Sequence, residues 1–262
     1  MLVDSHCHLD LLDLENIENG VQGVLDEAKQ HGVNHFLCVS VKISDFPSMY
    51  DLISPYENVF ASVGLHPNET ATFEPKVEDF LELAKRPRIV ALGETGLDYY
   101  RSEGDLVWQR NRFITHIQAA RELELPIIVH TRAAKKDTLD IMRQERVEDI
   151  SGVLHCFTED WEMAKKALDR NFYISFSGIV TFKNATDLQD VAKRVPLNRL
   201  LIETDSPYLA PNPYRGKPNR PAYVKYVAEF LAGLRGTTVE QIATATTENF
   251  FELFKKAELR VK

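Results

Sequence analysis

Leu2-Val3-Asp4-Ser5-His6-Cys7-His8-Leu9-Asp10 opens the chain as a short apolar strand with a His-x-His pair at its exit. On an extended strand, residues two apart share a face. His6 and His8 therefore project side by side, a spacing at which two imidazoles grip one metal ion. The pair alone is a weak signal. Its weight comes from position, because other strands of the chain end in the same residue types.

Strands read at 2–8, 35–41, 59–65, 89–93, 126–130, 152–157, 172–177 and 199–204. Helical stretches lie near 17–31, 44–54, 75–86, 105–123, 134–145, 160–170 and 184–194, with two more near 221–235 and 238–256. Gly32 stops the first helix. Alternation of this kind implies parallel pairing, and eight such units imply a closed (β/α)8 TIM barrel. An open doubly wound sheet is the competing architecture. The strand count and even spacing favour the barrel. No linker, low-complexity tract or long repeat interrupts the rhythm, so residues 1–262 read as one TIM-barrel domain. The Pro-, Gly- and Asn-rich stretch 210–221 falls where a long βα loop belongs.

The length leaves ample room for a core, and the composition is that of a soluble globular protein. A net charge of −8 argues against broad attraction to nucleic acid or anionic membranes, although bound cations escape that count. No basic and then apolar leader opens the chain, and no apolar run approaches the roughly 20 residues of a membrane span. Cys7, Cys38 and Cys156 are odd in number and sit in apolar strand contexts, as buried free thiols do. A cytoplasmic location, no membrane association and no obligate protein partner are expected.

Strands of a parallel barrel point one way, so their C-terminal ends share one mouth, where active sites form. The first strand delivers His6 and His8, the third His66, the fourth Glu94, the fifth His130, the sixth His155 and the eighth Asp205. The other histidines read as structural: His31 in the last turn of a helix, His35 at the far end of a strand, His116 on a helix face. Imidazole with carboxylate suits Zn, Mn, Fe or, with fewer nitrogens, Mg. The candidate ligands are too many for one tetrahedral ion with an open position. They suit two divalent ions, with His6, His8 and Asp205 on one, His130 and His155 on the other, and Glu94 bridging. Two dications against two carboxylates leave positive charge, which favours an anionic substrate.

The stretches around these residues are Asp4-Ser5-His6-Cys7-His8-Leu9-Asp10, Gly64-Leu65-His66-Pro67, Gly93-Glu94-Thr95-Gly96-Leu97-Asp98-Tyr99-Tyr100, Val129-His130-Thr131-Arg132, Leu154-His155-Cys156-Phe157 and Glu203-Thr204-Asp205-Ser206-Pro207-Tyr208-Leu209. With them in this order along nearly the whole chain, the sequence resembles the TatD-family metal-dependent hydrolases, a branch of the amidohydrolase-like barrels. The family commonly carries Ile or Val where Thr95 stands, and no ligand position departs from its pattern. The resemblance implies a divalent-metal phosphodiesterase, usually a deoxyribonuclease that degrades DNA from a 3′ end through a metal-activated water. It implies the ligand partition given above and two ions (Mg, Mn or Zn). By analogy with the wider superfamily, Asp205 handles the proton of the attacking water. Some relatives act on other esters, including aminoacylated RNA.

Cationic residues gather on the mouth side. Arg132, Lys135 and Lys136 follow the fifth strand, Lys183 the seventh, and Arg215, Lys217 and Arg220 lie in the 210–221 loop. They read as a local funnel for a polyanion, and Tyr99, Tyr100 and Tyr214 as platforms for unpaired bases. His66, Asp98, Arg132 and Arg215 are the expected substrate contacts, with Asp98 either meeting substrate or supporting Arg132. Asp205 and Glu94 are the expected catalytic residues. Glu203 shares the strand face of Asp205 and either supports the ligands or forms an interior ion pair. No element suits major-groove reading, so the expected substrate is single-stranded or frayed DNA without strong sequence preference. An ester or amide hydrolase on the same site, such as an aminoacyl-RNA deacylase, is the alternative enzyme. A non-catalytic metal or nucleic-acid binder is the alternative from another class. The basic 210–221 loop favours the nuclease.

Overall fold

Parallel strands follow one another around the sheet in chain order: β1 (Leu2–Cys7), β2 (Val33–Cys38), β3 (Val59–Val63), β4 (Ile89–Asp98), β5 (Ile127–Arg132), β6 (Gly152–Leu154), β7 (Phe172–Phe176) and β8 (Leu200–Ile202). The computed structural model describes residues 1–69 and 74–257. Helices α1 (Gly20–Gln30), α2 (Phe46–Ile53), α3 (Val77–Leu83), α4 (Val107–Leu123), α5 (Lys135–Gln144), α6 (Trp161–Leu168) and α7 (Thr186–Arg194) connect successive strands, and α8 (Val224–Arg235) and α9 (Val239–Leu253) follow β8. The architecture is a TIM barrel. No helix among the described residues is long and apolar enough to cross a membrane.

The barrel closes between β8 and β1 through the segment just past β8. Asp205 N–H donates to His6 O at 2.9 Å, and His8 N–H donates to Ser206 O at 2.9 Å. Below them, the buried Asp4 carboxylate accepts from Thr204 N at 2.9 Å and Thr204 Oγ1 at 2.5 Å. Burial pushes this carboxyl up to about 8 even though the Thr204 donors act against it. The closure matters for function because it sets His6 and His8 beside Asp205.

Every strand sends apolar side chains into the lower barrel: Val3, Leu37, Phe60, Val90 with Ala91, Ile128, Val153, Tyr173 and Leu201. Phe250 and Leu253 of α9 and Phe254 just past its end join this layer, the Phe250 ring centroid lying 6.0 Å from that of Phe60. α9 therefore plugs the N-terminal end, each buried Phe contributing about 1.5–3 kcal/mol. Its start is fixed by a reciprocal cap, with Gln241 N–H donating to Thr238 Oγ1 at 3.2 Å and Thr238 N–H to Gln241 Oε1 at 3.1 Å. A second apolar layer lies between the sheet and the surrounding helices.

Strand limits differ from the expected ones where the site is built. β4 runs to Asp98 instead of ending at 93, because its pairing with β5 resumes past a register shift between Leu92 and Thr95 and continues to Asp98↔Arg132. β6 and β8 end earlier than expected, at Leu154 and Ile202, so His155 and Asp205 lie in the loops above them. Apolar patterning continues through those loops, but Cys156 at φ 42° and Asp205 at φ 57° have left the extended region. β2 starts at Val33, which puts His35 inside the strand; its ring stacks 6.2 Å from that of Phe60.

Candidate metal centre

Two glycines let the strands approach where the site needs them. A Cβ on Gly64 would lie 2.3 Å from Gly93 C, and one on Gly96 would lie 2.0 Å from His130 O. Only a hydrogen at these positions allows β3, β4 and β5 to converge beneath Glu94 and His130. Ser62 Oγ then donates to Gly93 O at 2.6 Å, and Glu94 N–H donates to Ser40 O at 3.1 Å. These bonds aim the Glu94 side chain into the barrel mouth.

Glu94 divides its carboxylate between two groups of imidazoles. Oε2 lies 3.4 Å from His6 Nε2. Oε1 lies 2.7 Å from His155 Nε2, 3.1 Å from His130 Nδ1 and 3.4 Å from His66 Nε2. On the Oε2 side, His6 Nε2 and His8 Nε2 are 3.3 Å apart, and Asp205 Oδ1 is 3.6 Å from the first and 3.3 Å from the second. The structure thus brings together His6, His8, Glu94, His130, His155 and Asp205, the residues expected as ligands.

The outward-facing nitrogens decide which ring atoms carry lone pairs. His8 Nδ1 lies 2.9 Å from Val39 O, a group that only accepts, so Nδ1 is protonated and Nε2 faces the cluster bare. His130 Nε2 meets Asp98 Oδ2 at 3.1 Å, which leaves Nδ1 bare toward Glu94. His155 Nδ1 meets Glu203 Oε1 at 3.3 Å, which leaves Nε2 bare toward Glu94. A lone pair facing a carboxylate oxygen at these distances calls for positive charge, supplied either by protons on the rings or by metal cations. Burial alone would lower His8, but Asp205 outweighs it and pushes the ring up to about 9. His130 and His155 are likewise raised, burial being outweighed by Asp98 and Glu94 for the first and by Glu94 and Glu203 for the second. Burial would raise Glu94, yet His155, His66 and His130 hold it well below the usual carboxylate range. Bare imidazole nitrogens and ionised carboxylates converging in a buried pocket fit divalent metal ions.

His66 is arranged differently. Its Nδ1 accepts from Asn68 N–H at 3.1 Å, so the proton of the neutral ring sits on Nε2. His66 therefore offers Glu94 a donor where His130 and His155 offer lone pairs. Asp98, expected to meet substrate or support Arg132, is instead buried and taken up by its own neighbours. Its Oδ2 accepts from Asn68 Nδ2 at 2.9 Å and from His130, and its Oδ1 accepts from the backbone N–H of Tyr100 and Arg101 at 3.0 and 2.9 Å. Burial would raise this carboxyl, but His130 and Asn68 hold it far below its ordinary value.

Glu203 stands behind the cluster. The His6 and His155 rings stack at 4.0 Å and 11°, and both sit in a group with Glu203 whose polar atoms lie within 4.8 Å of one another. Besides its contact to His155, Glu203 has a second oxygen, Oε2, that is buried with no hydrogen-bond partner among the described residues, as is His6 Nδ1. Asn68 was missed by sequence reasoning; it pairs with Asp98 thirty positions away, a distance that no local spacing signals. His31 and His116 make structural bonds, His31 Nδ1 to Glu27 O at 3.0 Å and His116 Nδ1 to Arg112 O at 2.8 Å, and His116 lies on the buried face of α4.

Three of the seven cations expected in the funnel are paired with carboxylates of the protein, and two of the arginines lie over aromatic rings. Lys135 Nζ sits 2.7 Å from both Asp160 Oδ2 and Glu162 Oε2, Lys136 Nζ is 2.8 Å from Asp140 Oδ2, and Arg220 Nη1 is 2.7 Å from Glu27 Oε2. Arg215 stacks 4.1 Å over Phe182, and Arg132 stacks 4.1 Å over Tyr100. Tyr99 donates to Asp137 Oδ2 at 2.8 Å, and Tyr214 stacks on Tyr223 at 4.2 Å. Of the three expected tyrosine platforms, Tyr100 stays exposed, at 69%, with Arg132 over one face of its ring.

A profile of the TatD-related DNase family matches residues 3–255. The metal-dependent hydrolase YcfH of Escherichia coli K12 is 54% identical over 254 residues, covering 97% of this chain and 95% of that protein. The 3′-5′ ssDNA/RNA exonuclease TatD of Salmonella typhimurium is 31% identical over 239 residues, covering 88% of this chain and 92% of that protein. The crystal structure of YJJV, a TatD homologue from Escherichia coli K12, superposes with a TM-score of 0.87 at 27% identity, covering 97% of this chain and 98% of that one.

Proposed function

The chain belongs to the TatD-related DNase family and is a metal-dependent hydrolase, and on that premise we propose that it is a two-ion phosphodiesterase, a 3′→5′ exodeoxyribonuclease acting on single-stranded or frayed DNA. One observation carries the two-ion reading: the two oxygens of Glu94 face different imidazole groups, Oε2 toward His6 and Oε1 toward His130 and His155. His6, His8 and Asp205 would hold one ion, His130 and His155 the other, and Glu94 both. The nitrogen-rich donor set suits Zn or Mn, and Mg less well. Divalent cations bound there supply the charge that polarises a phosphodiester and acidifies water.

The residues divide the remaining work. The Asp205 side chain is 15% exposed, against 4% for Glu94, so Asp205 is the carboxylate that meets incoming water. Burial would raise it, but His8 and His6 hold it lowered and ionised at neutral pH, able to accept a proton. Water attacks phosphorus, its proton passes to Asp205, and the P–O3′ bond breaks. The same proton then returns to the leaving O3′. The His66 Nε2–H donates to a non-bridging oxygen, and Arg132 holds the strand at the rim. The name of the Salmonella relative supports single-stranded nucleic acid as substrate and the 3′ end as the starting point. The free thiols Cys7, Cys38 and Cys156 support a reducing, cytoplasmic setting, and we read the whole chain as one hydrolase domain.

The test uses 5′-labelled single-stranded DNA with protein loaded in turn with Mg, Mn or Zn, and Glu94→Ala purified identically as control. The expected result is a ladder shortening from the 3′ end, dependent on metal and absent in Glu94→Ala. No cleavage with any ion overturns the nuclease reading and directs the search to carboxylic esters or amides.

A further inference from the structure

Large apolar side chains exposed among the described residues are Met1, Leu11, Tyr100, Val107 and Tyr208. All but Met1 lie on the mouth side of the barrel. Leu11 follows β1, Tyr100 and Val107 follow β4, and Tyr208 follows β8. The two aromatic members are Tyr100 and Tyr208, 69% and 55% exposed. Folding gains nothing from open aromatic faces, and exposed apolar surface concentrated at one mouth marks a binding surface.

The backbone N–H of each tyrosine is bonded to a residue that itself contacts the cluster, Asp98 for Tyr100 and Asp205 for Tyr208. Asp98 Oδ1 accepts the Tyr100 N–H at 3.0 Å, while Asp98 Oδ2 holds His130. Asp205 O accepts the Tyr208 N–H at 2.9 Å, while the Asp205 carboxylate faces His8. Asn219, fully buried, bonds Thr204 O at 2.8 Å and Tyr208 O at 2.6 Å, which fixes the tyrosine backbone from below. The Tyr208 ring stands 6.4 Å from the His8 ring. In the strand order, β4 and β8 lie four places apart in either direction around the barrel. The two loops that carry these tyrosines therefore leave the barrel from opposite sides of the mouth.

We propose that Tyr100 and Tyr208 stack the two nucleobases that flank the scissile phosphate, one on each rim. This rests on the phosphodiesterase reading and adds to it a substrate footprint: one unpaired base on either side of the cleaved bond. A single compact ester would leave one rim open. A duplex keeps neighbouring bases stacked on each other and cannot spread them across the mouth. Arg132, lying over Tyr100, adds a cation beside one platform, which suits an anionic strand more than an apolar acyl chain. Stacking on a ring face tolerates any base, so little sequence preference follows.

The test compares metal-loaded enzyme on the dinucleotide TpT with two analogues, each lacking one base. Deleting either base is expected to raise KM about tenfold with a smaller effect on kcat. Tyr208→Ala should become indifferent to one base and Tyr100→Ala to the other, while Tyr208→Phe and Tyr100→Phe retain the discrimination through the ring face. A second readout is the fluorescence of 2-aminopurine placed at each position of a trinucleotide, quenched on stacking whether or not cleavage occurs. Quenching lost position by position in the matching Ala variants supports the footprint even if TpT is not turned over, in which case the phosphodiesterase reading alone fails. Quenching absent with the unaltered protein, or unchanged in both Ala variants, overturns the footprint. Equal losses on all three dinucleotides in the Ala variants also overturn it, because a merely structural role for the rings would produce them.

Discussion

Asp98 and His130 meet above the β4–β5 seam, Oδ2 to Nε2 at 3.1 Å, and this contact fixes which nitrogen of His130 faces Glu94. A carboxylate accepts, so Nε2 carries the proton and Nδ1 keeps its lone pair for the cluster. Partners of this kind are worth about 10–100-fold in metal affinity. Asp98→Ala is expected to weaken retention of one metal equivalent by that factor while the other stays. Asp98→Asn, whose oxygen still accepts, should fall between. Elemental analysis after dialysis against graded chelator measures this, and full retention of both equivalents in Asp98→Ala would remove the role.

The division of Glu94 makes a second separation testable. His8 contributes only to the group on the Oε2 side and His130 only to the group on the Oε1 side. His8→Ala and His130→Ala should each leave about one tightly held equivalent, and Glu94→Ala should lose affinity at both sites. Calorimetric titration of the metal-stripped proteins with Zn or Mn counts the sites. Two unweakened sites in Glu94→Ala would sink the bridging assignment.

Charge at the mouth is less available than residue counts imply. Lys135 spends its ammonium on Asp160 and Glu162, whereas Arg132 lies against an aromatic face without a carboxylate in its cation–π contact. Arg132→Ala is therefore expected to raise KM for long single strands about tenfold and to flatten the salt dependence. Lys135→Ala should change KM by no more than about twofold, in keeping with the small worth of exposed paired charges. Equal effects from the two variants would restore the lysines to the binding surface.

These contrasts show which parts of the site the sequence made legible. His6, His8, Glu94, His130, His155 and Asp205 could be found because barrel strands share a direction, so a residue type recurring at strand exits must converge. The partners that orient them could not be found that way. Asp98 looks like a substrate contact by its place past Glu94, and only the continued pairing of β4 with β5 turns it onto His130. Lys135 looks like a free cation until α6 places Asp160 and Glu162 beside it. The early ends of β6 and β8 were hidden for a related reason. Hydrophobic pattern reports burial, and His155, Phe157, Glu203 and Thr204, just past these strands, are buried as strand residues are.

His116 supplies the last prediction, a pH dependence of the fold that reaches the site. Its Nε2 accepts from Leu65 N–H at 3.0 Å and its Nδ1 donates to Arg112 O at 2.8 Å, so the buried ring must be neutral. Burial lowers it from 6.5 to about 3. Between those values the unfolded chain binds a proton that the folded chain refuses, so stability falls as pH falls. One such group removes about 2 kcal/mol between pH 7 and pH 5. Its bond to Leu65 also holds the segment that presents His66, so acid should loosen the mouth near β3 as the fold weakens. Urea unfolding at both pH values is expected to show this loss in the unaltered protein. His116→Gln should be less stable at pH 7 yet lose about 2 kcal/mol less on acidification. Parallel losses in the two proteins would mean that the ring already accepts its proton in the folded state, and that the acid sensitivity of the barrel resides elsewhere.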